Sequence, residues 1–178
     1  RDLVPGEIVG QLALVRRDRH AEERSINIVF MGMGEPLLNY KNVLKAIEMI
    51  TSEEGLGMSP KRITLSTVGL PKMIKKLADD EVRFKLAVSL HSAIDEVRSE
   101  MMPINEKSDL SELLESLQYW YEKTKSRVTF EYVVWKGIND RQEDIDALVA
   151  YCRKVPSKVN LIEYNPVRSG WLLSELAA

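Results

Sequence analysis

The stretch Val29-Phe30-Met31-Gly32-Met33-Gly34-Glu35-Pro36 decides how the chain reads. Ile26 to Met31 is an apolar, β-branched run that predicts a buried strand, ending in two glycines, a carboxylate and a proline. Glycine at such an end lets a ligand meet the main chain without a Cβ in the way. Pro36 disfavours helical geometry at Glu35, so the carboxylate is expected to stand on a turn.

Working outward, the pattern alternates. Pro5-Gly6-Glu7 opens a helix with Ile8, Leu12 and Val15 on one face and Arg16, Arg17 and Arg19 at its end. After Pro36, Val43, Ile47 and Ile50 recur at helical spacing, with Gly55 and Gly57 as the stop. Arg62 to Thr67 predicts a second strand; Met73, Ile74 and Leu77 mark the next helix. Phe84 to His91 is a third strand, followed by a short helix around Ile94 and Val97 and a longer one through Leu110, Leu113, Leu114 and Leu117, with Ser108 as its expected cap. Arg127 to Trp135 is a fourth strand, and Ile145, Leu148, Val149 and Cys152 line one side of the following helix. Lys158 to Tyr164 is the fifth strand, closed by Asn165-Pro166.

Strand and helix in strict alternation are the signature of parallel βα units, in a (β/α) barrel, whole or partial, or an open doubly wound sheet. A chain opening on a crossover helix lacks the strand that should feed it, which predicts a fragment with an open sheet edge able to pair between copies.

The 178 residues suit one sizeable domain, and 44% hydrophobic with 29% charged residues is a globular composition. The apolar runs are far shorter than a membrane span and no leader opens the chain, which predicts a cytoplasmic location. The net charge of −2 argues against a dedicated nucleic-acid module, and Lys72, Lys75, Lys76 and Arg98 read as a solvated face. One cysteine, Cys152, excludes an intrachain disulfide and reads as a core residue.

In either architecture a ligand lies at the carboxyl ends of the strands. Those ends carry Gly34-Glu35, Ser66-Thr67, Ser89-Leu90-His91, Tyr132 to Trp135 and Asn165. Singly, each has an ordinary turn role. Together they offer carbonyls, hydroxyls and a carboxylate, which suit an ammonium and a hydroxylated sugar better than a transition metal. No dinucleotide fingerprint or phosphate-cradling loop is present.

These pieces resemble the radical S-adenosylmethionine (SAM) methyltransferases of the RlmN type, which modify adenosine C2 in 23S rRNA and tRNA. The resemblance runs from Arg1 to about Pro166 through Gly6 to Gln11, Met31 to Asn39, Thr64 to Thr67, Val88 to His91, Met102 to Asn105, Arg127 to Val133 and Asn160 to Pro166. It implies a partial (β/α)6 radical-SAM-type barrel with parallel strands over residues 1–168, its first strand missing, and a tail, 169–178, unlike the family's. It also implies SAM contacts at Gly34, Glu35, Ser66, Ser89, Leu90, His91 and Asn165. The family's [4Fe-4S] cluster is held by a CxxxCxxC loop, and its methyl carrier is a C-terminal cysteine. Neither is in this sequence, so the chain alone is expected to be inactive. A related C8-adenosine methyltransferase or another radical SAM enzyme fits the same pieces, and a non-catalytic SAM- or RNA-binding domain is the alternative of another class.

Overall fold

The structure is a computed structural model that describes residues 2–18 and 26–165. Arg19, Pro166, the expected domain boundary at 168 and the tail 169–178 lie outside the described residues.

The elements follow in the order α1 (Pro5–Asp18), β1 (Ile28–Phe30), α2 (Tyr40–Thr51), β2 (Ile63–Thr67), α3 (Pro71–Asp79), β3 (Lys85–Ser89), α4 (Asp95–Met101), α5 (Leu110–Thr124), β4 (Val128–Val134), α6 (Gln142–Cys152) and β5 (Ser157–Glu163). The strands form one sheet in chain order, as expected of βα units in series. Two compact units divide the chain: residues 1–67 with 83–86, and residues 68–82 with 87–178.

In the first unit β1 pairs with β2 in parallel, Ile28 opposite Ile63 and Phe30 opposite Leu65. Its core comprises Leu37, Val43, Ala46, Ile47 and Ile50 around α2, with Ile63 and Leu65 of β2. The spacing of the α2 residues was readable from the sequence, but the helix ends at Thr51, ahead of both glycines. β1 departs from expectation: it is three residues long, and Val29 is half exposed, because β1 stands at the end of the sheet with a strand on one side only. In α1, Ile8 and Leu12 are half-buried while Val15 is exposed.

In the second unit β4 and β5 pair in parallel from Val128 opposite Ser157 to Val134 opposite Glu163. Its core joins Ile74 and Leu77 of α3 to Leu113, Leu117 and Trp120 of α5, with Val88, Val128, Phe130 and Tyr132 from the strands and Leu90 just after β3. Each such buried side chain contributes about 1.5–3 kcal/mol relative to exposure. Gly69, at φ +96°, is the close approach that seats the turn before α3: a Cβ there would meet Leu113 Cδ1 at 3.0 Å.

Three expectations are corrected here. Asp109, and not Ser108, caps α5, its carboxylate accepting from the Glu112 N–H at 2.9 Å. On α6 the inward stripe is Asp144, Leu148 and Tyr151, one residue round from the expected stripe, leaving Ile145 48% and Val149 43% exposed and Cys152 half-buried. Tyr151 sets that rotation. Its ring lies 5.7 Å from Phe130, and its hydroxyl donates to the Leu110 carbonyl at 2.9 Å. Third, Arg98 is not on a solvated face but 1% exposed, while Lys72, Lys75 and Lys76 are exposed as expected.

Candidate functional site

In the first unit the Met31–Glu35 loop leaves β1 at its carboxyl end. Parallel register places this end beside the carboxyl end of β2, where Ser66 follows Leu65. Gly34 has φ +93° with open space where a Cβ would stand, so backbone conformation alone demands glycine there. Glu35 is half-buried, and its Oε1 accepts from the Leu37 N–H at 2.9 Å, which fixes the carboxylate on the turn before α2. Ser66 is only 7% exposed, yet its hydroxyl bonds to no described residue.

In the second unit Ser89 is the last residue of β3 and half-buried. Leu90 is wholly buried: its N–H donates to the Glu131 carbonyl at 3.0 Å and its own carbonyl accepts from Arg98, so it anchors the turn and offers no free side-chain group. His91 follows at φ +57°, its N–H donating to the same Glu131 carbonyl at 3.3 Å and its Nδ1 accepting from the Val133 N–H at 3.1 Å. Burial, with the Arg98 charge second, pushes the imidazole down to about 4. Val133 stands opposite Ile162 of β5, and Asn165 follows β5 as an exposed residue whose Nδ2 reaches the Glu163 carbonyl at 3.4 Å. Ser89, His91 and Asn165 thus share the carboxyl end of this unit's strands.

Sequence reasoning missed the residues beneath this turn. Arg98, read as solvated, donates from Nε to the Leu90 carbonyl at 3.1 Å, from Nη2 to the Val68 and Ser89 carbonyls at 2.8 and 3.3 Å, and from Nη1 to Asn105 Oδ1 at 2.6 Å. Asn139, in the turn after β4, is 1% exposed and bonds to His91, Val133 and Trp135. Glu131 is buried and accepts from Asn160 Nδ2 at 2.7 Å. Its place in a strand of alternating character was the available signal for an inward carboxylate.

In each unit, taken by itself, the strand-end donors are of a kind that suits a polar nucleoside ligand such as SAM. The hydroxyls of Ser66 and Ser89 and the Nε2 of His91 each lie at a strand end without a partner among the described residues. The [4Fe-4S] cluster does not fit this chain. Cys152 is the only cysteine in the sequence, burial pushes its thiol up, and no three His, Cys, Asp or Glu side chains gather among the described residues.

Comparison with known proteins identifies the family. The family model of the radical SAM superfamily matches residues 9–149. The probable dual-specificity RNA methyltransferase RlmN of Flavobacterium psychrophilum is 66% identical over 172 residues, which are 96% of this chain and 50% of that protein. The dual-specificity RNA methyltransferase RlmN of Parvibaculum lavamentivorans is 47% identical over 176 residues, 93% of this chain and 44% of that protein. A crystal structure of a radical SAM methyltransferase from Sphaerobacter thermophilus superposes with a TM-score of 0.90 at 40% identity, covering 96% of this chain and 50% of that one. The chain therefore spans about half the length of the curated relatives it matches, and it belongs to the radical SAM superfamily.

Proposed function

We propose that this chain is the SAM-binding core of an RlmN-type RNA methyltransferase that acts on adenosine C2 of 23S rRNA and tRNA. The observation that carries the reading is that the Ser66 and Ser89 hydroxyls and His91 Nε2 have no partner among the described residues, on a fold whose relatives bear that name. Gly34, Glu35 and Ser66 are the SAM contacts of the first unit, and Ser89, Leu90, His91 and Asn165 are those of the second. SAM, when bound, supplies the methyl group and the adenosyl moiety.

Each residue then has a stated task. The Gly34 backbone admits the ligand's amino-acid part, and Glu35 offers an acceptor to its ammonium. The Ser66 and Ser89 hydroxyls and the Asn165 amide meet the carboxylate and ribose oxygens, while Leu90 holds the β3 turn in place. Holding the ligand in a single pose is the protein's share of such chemistry. The cluster thiolates and the methyl-carrier cysteine belong to the whole enzyme, since this sequence has one cysteine, and the chain alone is inactive. The site of action is the cytoplasm, where such RNA substrates are found. Among the described residues no helix is long and apolar enough to cross a membrane.

Calorimetric titration of the chain with SAM tests the reading. Weak saturable binding is expected, reduced about tenfold by Ser66→Ala and by Glu35→Gln, the worth of roughly one hydrogen bond to a charged group. Affinity unchanged by both substitutions would overturn it.

A further inference from the structure

His91 is held from three sides. Its ring Nδ1 accepts the Val133 N–H at 3.1 Å, so that nitrogen carries the lone pair and the single proton of the neutral ring sits on Nε2. Its carbonyl accepts from Asn139 Nδ2 at 2.7 Å. The Asn139 amide cannot turn over: Nδ2 also donates to the Val133 carbonyl at 2.7 Å, and Oδ1 accepts the Trp135 N–H at 2.7 Å. A flip would set oxygen against two carbonyls and N–H against N–H. One buried amide therefore grips both His91 and the residue whose N–H fixes its tautomer.

From the other side Arg98 holds the two residues before His91. Its guanidinium takes the carbonyls of Ser89 and Leu90, and Asn105 Oδ1 steadies it. Asn105 is itself braced, its Nδ2 lying within 3.2 Å of the Asp95 carbonyl, Asp95 Oδ1 and Ser99 Oγ. At φ +57° His91 stands in a backbone conformation unfavourable for a residue with a Cβ, and it persists because these bonds over-determine it. Neither Arg98 nor Asn139 has surface to offer a ligand, each being 1% exposed.

We infer that Asn139 and Arg98 are positioning residues that lock His91 as an Nε2–H donor aimed at an acceptor atom of the bound adenosyl ligand. The inference rests on the reading of His91 as part of the SAM site. It explains why a histidine at this rim is neutral: the site needs a donor that never becomes a cation beside a sulfonium.

The test uses 15N-labelled chain and the ring-nitrogen spectrum of its two histidines, His20 and His91, with His91→Gln assigning the signals. At pH 7 His91 is expected as the pure Nε2–H tautomer, and SAM is expected to shift its Nε2 signal. In Asn139→Ala the two ring-nitrogen shifts should converge as tautomers mix, with SAM affinity falling about tenfold. Arg98→Lys, which keeps a cationic donor, should show a smaller effect in the same direction and stands in if Asn139→Ala fails to fold. An unmixed tautomer in folded variants, or mixing without loss of SAM affinity, would overturn the inference. A wild-type Nε2 signal unmoved by saturating SAM would instead overturn the placement of His91 in the site, and the ligand half of the inference with it. The tautomer shifts keep these two failures distinct.

Discussion

The amide of Val133, on β4, donates to Nδ1 of His91, which lies 42 residues earlier just past β3, across 3.1 Å. That bond ties the end of one strand to a side chain at the end of the next, and it fixes the chemical state of the imidazole as well as its place.

The first consequence is a pH dependence of stability. The native ring titrates near 4 and the unfolded one near 6.5, so between those values the unfolded chain takes up a proton that the folded one refuses. Stability is full above about pH 6.5 and declines as pH falls to about 4, by roughly 2 kcal/mol after solvent screening of a ring that is not wholly buried. Urea denaturation at pH 7 and pH 4.5 measures it. His91→Gln, whose amide oxygen can still accept from Val133, should flatten the difference; an equal decline in both proteins would contradict the assignment.

Arg98→Met should cost about 2–4 kcal/mol, because it strips donors from the carbonyls of Val68, Ser89 and Leu90 and from Asn105 Oδ1 while filling the space with an apolar chain. Arg98→Lys should cost about half as much, since an ammonium reaches some of these acceptors but cannot span them as a planar fork does. Equal losses would mean that the volume of the side chain, and not its donor geometry, is what matters here.

How far these features were legible depends on whether the chemistry is local. The strand ends at Glu35, Ser66, His91 and Asn165 announce themselves, because an apolar run stopping at polar residues and glycines is a pattern within a few positions. Arg98 does not, since its partners Val68, Ser89 and Leu90 lie up to 30 residues away and its neighbours Ser99 and Glu100 are those of a solvated helix. Asn139 is hidden for the same reason: Asn-Asp after glycine is ordinary turn sequence, and only the fold reveals that the amide is buried against His91, 48 residues distant. On α6 the apolar stripe was read from Ile145 and Val149, whereas a tyrosine hydroxyl seeking the Leu110 carbonyl decided which side turned inward.

Anaerobic reconstitution with iron and sulfide should leave the purified chain colourless and without stoichiometric iron. A cluster needs several thiolates, and the one thiol available is half-buried in α6 and held protonated by that burial. Iron bound in stoichiometric amount would show that the chain builds a site from other ligands.

Gly34 and Gly69 separate two costs that alanine substitution usually mixes. Both sit at positive φ, +93° and +96°, so either alanine suffers the backbone penalty of about 1–2 kcal/mol. At Gly34 nothing lies within 4 Å of the new Cβ, and an exposed loop can relax part of that strain, so Gly34→Ala should unfold with a loss of about 1 kcal/mol or less. At Gly69 the Cβ would press Leu113 Cδ1 at 3.0 Å and Cδ2 at 3.3 Å inside the core, adding a packing cost that brings Gly69→Ala to about 2–4 kcal/mol. SAM titration should rank them in reverse, because the Gly34 backbone faces the proposed ligand while Gly69 faces side chains: Gly34→Ala loses affinity at nearly native stability, and Gly69→Ala keeps it wherever it stays folded. Undiminished SAM affinity in folded Gly34→Ala would remove this loop from the cradle.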